Sequence, residues 1–235
     1  FASSKVLATN LWHGSKLKIF AEYNQKIAKL HDNLIVLCFD FRKSVHLFRN
    51  MTWATRLAAS TNFGVSRLVY FMGGVDNWIA PKFNSTIWVD QTKNYQYQTL
   101  ATSMRGFSQN TRNGTSFALL STELRMPVVQ LITGKKLSRP FFNSIQLIAF
   151  ADLGTAWTGL TPYSEENCLY TRYIDSGNIH AVVKRQVDPW IICVGSGLRA
   201  SLLGYFLRFD YAWGIENFQV ADKKGMFLFS IGTDF

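Results

Sequence analysis

The chain has 235 residues, of which 48% are hydrophobic and 15% aromatic but only 17% charged, and its formal net charge is +10. That charge is sparse beside the roughly 25% of an average soluble domain. Its uncharged stretches, such as Pro140 to Ala151 with Asn143, Ser144 and Gln146 inside it, fall short of the about 20 apolar residues a spanning helix needs. Helical membrane insertion is therefore disfavoured, and the basic residues are too scattered to mark a nucleic-acid partner.

In lipid only a helix or a closed barrel satisfies every backbone N–H and C=O, so the chain reads as a soluble β protein or a membrane barrel, and periodicity decides between them. The first dozen residues have room for one strand. Leu17, Ile19, Ala21 and Tyr23 then oppose Lys18, Phe20 and Glu22, and a short link at 26–32 leads to Leu37, Phe39 and Phe41 opposite Cys38, Asp40 and Arg42. Trp53, Thr55 and Leu57 oppose Ala54 and Arg56, and a shorter strand is expected around Arg67 to Met72.

From Gly73 to Asn113 the chain is rich in Gly, Asn, Gln, Ser and Thr, with Trp78, Trp88, Tyr95 and Tyr97 among them. This connection, 73–115 up to the next strand, far exceeds the usual four to six residues and predicts a functional loop. From Ser116 to Met126 the residues Leu120, Thr122, Leu124 and Met126 point outward and Ser121, Glu123 and Arg125 inward; Pro127, which has no N–H for a ladder, ends the run.

Leu147, Ala149, Ala151 and Leu153 alternate with Phe150, Asp152 and Gly154, and a second long loop is expected from Thr158 to Gln186. Trp190, Ile192, Val194 and Leu198 alternate with Cys193, Gly195, Gly197 and Arg199. Tyr205, Leu207, Phe209, Tyr211 and Trp213 alternate with Arg208, Asp210, Ala212 and Gly214. After a link at 216–224, Phe227, Phe229, Ile231, Thr233 and Phe235 alternate with Leu228, Ser230, Gly232 and Asp234.

Period two with all strand charges on one face is the pattern of a strand between lipid and a wet lumen. The expected fold is all-β: a transmembrane antiparallel up-and-down β-barrel to which this chain contributes about ten strands. A soluble β-sandwich or lipocalin-like barrel would make the ring-bearing face its core, but a soluble exterior carries more Lys and Glu than these strands offer. With Phe1 first and no signal peptide, the chain reads as a mature fragment or partial chain.

Cys38, Cys168 and Cys193 are an odd set without a CxxC pair and are expected as free thiols. His13, His31, His46 and His180 lack HxxxH or HxH spacing, and no nucleophile elbow, phosphate loop or paired-carboxylate site is present. The expectation is a non-enzymatic protein without a metal or cofactor.

Met104-Arg105-Gly106-Phe107 lies near the end of the long loop. An arginine drawn into a lumen needs a desolvated partner, and a guanidinium pairs best with a carboxylate in a bidentate fork. Asp152, inward by alternation, is the candidate, with Gly106 allowing a tight turn and Gly154 leaving room for the loop. The order of motifs resembles the Omp85 superfamily of outer-membrane assembly and translocation barrels, related to the bacterial surface antigens. Their sixth extracellular loop folds into the lumen with a Val-Arg-Gly-Phe/Tyr motif; here Met104 stands for the valine. Glu123-Leu124-Arg125-Met126-Pro127, Phe150-Ala151-Asp152-Leu153-Gly154, Gly195-Ser196-Gly197-Leu198-Arg199 and Leu207-Arg208-Phe209-Asp210-Tyr211-Ala212 follow in the family's order, to a terminal Phe235.

The resemblance implies a bacterial outer-membrane barrel of about sixteen strands in which Arg105 pairs with acidic strand residues. It implies a lateral seam between first and last strands for protein insertion or translocation, and a last strand (Phe227, Phe229, Ile231, Thr233, Phe235) that doubles as a β-signal. The implied partners are membrane lipid and lipopolysaccharide, unfolded outer-membrane or secreted protein clients, and periplasmic or lipoprotein subunits. A structural or pore-forming barrel that anchors a periplasmic domain, without insertase activity, is the alternative.

Overall fold

A computed structural model describes residues 2–7, 10–25, 33–89, 95–134, 140–176 and 179–232. The alternating segments become strands β1 (Ala2–Leu7), β2 (Asn10–Asn24), β3 (Leu34–His46) and β4 (Thr52–Gly64). Three strands then leave the main sheet: β5 (Arg67–Met72), β6 (Tyr95–Leu100) and β7 (Arg112–Gly114). The main sheet resumes with β8 (Ser116–Pro127) and β9 (Gln146–Trp157), which are linked through two short helices, α1 (Val128–Thr133) and α2 (Pro140–Ser144). Past a third helix, α3 (Glu165–Cys168), β10 (Leu169–Ser176) and β11 (Ile179–Gln186) form a separate hairpin. The last main-sheet strands are β12 (Ile191–Leu202), β13 (Tyr205–Glu216), β14 (Gln219–Val220) and β15 (Met226–Gly232).

Among the described residues the main sheet has ten strands in the order β1-β2-β3-β4-β8-β9-β12-β13, with β14 and β15 both on β13. Every pairing is antiparallel between sequence neighbours or across an excursion, the up-and-down topology expected. The sheet is open among these residues. Two-residue turns close β12–β13 at Leu203-Gly204 and β13–β14 at Asn217-Phe218, with positive φ at both central positions. Such turns match the right-handed twist of the strands they join.

The two faces of the sheet divide inversely to a soluble protein. Ile19 is 69% exposed and Phe227 59%, with Trp53, Leu57, Leu120, Val194, Leu198 and Tyr211 also exposed on the same outer face. Asp152, by contrast, is 1% exposed, and Arg199 and Asp210 are buried beside Ile148, Phe150, Cys193 and Leu228 on the inner face. A face of rings and aliphatics left outside has lipid as its natural solvent. A soluble sandwich would instead bury those same side chains as its core. Trp53, Phe63, Tyr205 and Trp213 lie toward strand ends, where aromatic girdles meet the interface.

Two segments depart from the sequence-based expectation. Arg67–Met72 is not a wall strand: β5 pairs in parallel with β6 and antiparallel with β7 in a three-stranded sheet belonging to the long loop. Its physical cause is visible in Leu68-Val69-Tyr70-Phe71-Met72, an uninterrupted apolar run buried on both sides, where a wall strand would alternate. The loop therefore begins just after Gly64 and is largely ordered by its own strands. The second long connection also carries structure, the β10–β11 hairpin. The link expected at 26–32 and the last-strand residues Thr233 and Phe235 lie outside the described residues.

Candidate functional site: a loop arginine on a four-strand ledge

Strand register assembles the site before the loop reaches it. Ser121 on β8 pairs with Asp152 on β9, Asp152 with Cys193 on β12, and Cys193 with Gly214 on β13. These four inward residues form one row across the wall, acidic at one end and small at the other. The next row is Glu123, Phe150, Gly195 and Ala212. Met104-Arg105-Gly106-Phe107 lies along this ledge.

Arg105 grips the acidic end. Its Nε donates to Asp152 Oδ2 at 2.8 Å and its Nη2 to Oδ1 at 2.6 Å, the bidentate fork. Nη1 donates to Glu123 Oε1 at 2.7 Å, Nη2 also reaches Ser121 Oγ at 3.1 Å, and the guanidinium carbon sits 3.6 Å from the centroid of the Phe150 ring. Ser121 Oγ in turn donates to Asp152 Oδ1 at 2.6 Å. Burying an ion costs several kcal/mol, and only near-complete pairing offsets it. Arg105 has that pairing on the guanidinium's edge and on its face. Burial alone would pull the Arg105 pKa down, but Asp152 and Glu123 outweigh it and hold the pKa above the ordinary value, so the side chain stays cationic.

Gly106 and Phe107 occupy the small end. Gly106 has φ +76°, and a Cβ there would lie 3.0 Å from Gly214 N and 3.1 Å from Cys193 Sγ. Phe107 lies so near the same strand that a Cβ on Gly214 would stand 2.6 Å from its ring and 2.6 Å from Gly106 O. Met104, fully buried, fills the row above: a Cβ on Gly154 would come within 2.7 Å of its Sδ. Glycines at 154 and 214 thus set how closely the loop approaches the wall.

The other inward charges named from the sequence join the cluster unequally. Glu123 is its hub, accepting from Arg105, from Arg125 Nη2 at 2.9 Å and from Arg199 Nη2 at 2.7 Å. Arg199 pairs in register with Arg208, a like-charge juxtaposition that Glu123 offsets from two inward rows away. Asp210 is buried against Gly197, and its Oδ1 meets no hydrogen-bond donor among the described residues. Phe227 and Phe229 lie on the opposite, outer face with Phe209, whose ring stacks on Phe229 at 4.5 Å. They are apart from the ledge.

Sequence reasoning missed the second loop anchor. Arg112 Nη2 lies 2.6 Å from Glu216 Oε1 and also donates to the Asp188 carbonyl, tying the loop's exit to the far end of β13. Only the inward parity of Glu216 hinted at it. A second ion cluster, Asp40 with Arg42 and Arg56, joins β3 to β4 on the inner face.

An antiparallel up-and-down sheet, apolar outside and charged within, that receives a long loop through a buried arginine fits the wall of an outer-membrane β-barrel. The family model for the Omp85 superfamily domain matches residues 14–235, and the chain belongs to that superfamily. A search of the curated proteins found no match.

Proposed function

We propose that this chain forms the loop-bearing wall of a sixteen-stranded barrel that inserts or translocates proteins at the bacterial outer membrane through a lateral seam. The observation that carries the reading is Arg105 seated in its bidentate pair with Asp152, which holds a long loop against the wall. A loop braced in this way can hold the rest of the wall fixed while one edge opens, which favours the seam reading. Support also comes from family membership and from the alternation of Phe227, Phe229 and Ile231, continued by Thr233 and Phe235, which serves as β-signal before insertion and lipid face after it.

In the mechanism, an unfolded client strand pairs with the exposed backbone edge of the seam. No covalent chemistry is needed, because free N–H and C=O groups template the incoming strand. Periplasmic or lipoprotein subunits would deliver the client. The test is depletion in cells together with reconstitution of the full-length protein into vesicles with an unfolded outer-membrane client. Loss of outer-membrane proteins and faster client folding are expected. Unchanged levels in cells, combined with simple ion conductance in planar bilayers, would support the anchoring pore instead.

A further inference from the structure

The same loop that grips the ledge also reaches the last strand, on the edge away from β13. Trp78 is bridged antiparallel to Ser230, and Ile79 N donates to Phe229 O at 3.0 Å. Trp78 is buried with Leu228, whereas the Ile79 side chain is 55% exposed, so the contact is made by backbone and one ring. Strand edges recruit partners by this kind of hydrogen bond. Here one residue pair of the protein's own loop takes that position.

The contact is linked mechanically to the arginine motif. Gly74 N donates to Phe107 O at 2.9 Å and Met104 N to Gly74 O at 2.8 Å, zipping the start of this arm to Met104–Phe107. Two residues on, Asp76 N donates to Ser103 Oγ at 3.0 Å, and Ser103 Oγ donates to Asp76 Oδ2 at 2.6 Å. Only Asn77 separates that clasp from the bridged Trp78. Farther along, Gln109 N donates to Lys82 O and Asn84 N to Gln109 O, each at 2.8 Å. The arm is thus held on both sides of the segment touching β15.

We propose that Trp78-Ile79 is a built-in strand mimic that caps the outer edge of β15, is held in place by the Arg105 anchor, and must be displaced before a client strand can pair there. The proposal rests on the reading that clients enter at this edge, and it requires the barrel's first strand to leave the edge at Phe229-Ser230 to the loop. It adds a role for the motif, since Arg105 then sets how readily the edge becomes available.

The test uses the full-length protein in lipid vesicles with two probes that do not depend on insertion activity. A Trp78→Cys/Ser230→Cys pair, in a background with Cys38, Cys168 and Cys193 replaced by Ser, is expected to oxidise readily, because directly opposed antiparallel residues bring Cα atoms within disulfide range. The second probe is a fluorescent peptide with the sequence of residues 205–216, the antiparallel partner pattern of the last strand. Binding is expected to be lost in the oxidised pair and recovered on reduction. Ile79→Pro removes the donor N–H without removing a core side chain and is expected to tighten peptide binding by roughly two- to tenfold, the range for one net hydrogen bond. Arg105→Ala should move binding in the same direction.

Failure of the cysteine pair to oxidise, or equal peptide binding by locked and reduced protein, overturns the cap. A cap that behaves as described in a protein that inserts no client would overturn the insertase reading alone.

Discussion

At the scale of single residues, the ledge explains why one arginine is served by two carboxylates. Asp152 gives Arg105 geometry through the fork, while Glu123 balances Arg105, Arg125 and Arg199 together. Leaving a buried charge unpaired costs about 3–5 kcal/mol. Glu123→Gln, which weakens three pairs at once, should therefore destabilise the folded protein more than Asp152→Asn, with urea midpoints from heat-modifiability gels giving the order. The glycines separate similarly. Gly214→Ala places a methyl against Gly106 O and the Phe107 ring, whereas Gly154→Ala meets the flexible end of Met104. Overpacking against fixed groups costs about 1–3 kcal/mol, so Gly214→Ala should release the loop to protease cleavage while Gly154→Ala leaves it largely protected.

At the scale of elements, each wall strand has two faces, one exposed and apolar and one buried and charged. Leu120 and Leu57 pair across β4 and β8 on the outer face, and Leu120 also pairs with Leu153 on β9. Leu120 lies at mid-strand, so Leu120→Arg should cost about 2–4 kcal/mol in a bilayer, the range for an arginine facing lipid at the membrane midplane. The check is equilibrium folding into thin-chain lipid vesicles; an unchanged midpoint would mean that this face does not meet lipid. Alternation made these strands legible in the sequence: the expected segment at Ser116 to Met126 became Ser116–Pro127, and the segment at Tyr205 to Gly214 became Tyr205–Glu216. β5 forms at Arg67–Met72 as expected but lies off the wall, because a strand buried on both faces and a wall strand share the same residue types and differ only in alternation.

At the scale of the whole molecule, the loop is a brace with three footholds: Arg105 on β8 and β9, Arg112 at the end of β13, and Ile79 on β15. The footholds span much of the wall, so releasing the first should free lumen space. In the full-length protein, Arg105→Ala is expected to raise single-channel conductance in planar bilayers severalfold over a quiet parent. Equal conductance would mean that the other footholds hold the loop without it.

Alternating side chains dictate the wall, its two faces and the inward direction of Asp152, Glu123 and Arg199, because in a strand the side of each residue follows from its position alone. Motif order carried the family and suggested the Arg105–Asp152 pair. Register decided the rest. That Ser121, Asp152, Cys193 and Gly214 share one row, that Glu123 gathers three arginines, and that Ile79 reaches the last strand all depend on which residues pair between strands and on where a loop of many backbone options comes to rest. Those choices are settled by contacts between distant parts of the chain, and they exist only once the sheet has formed.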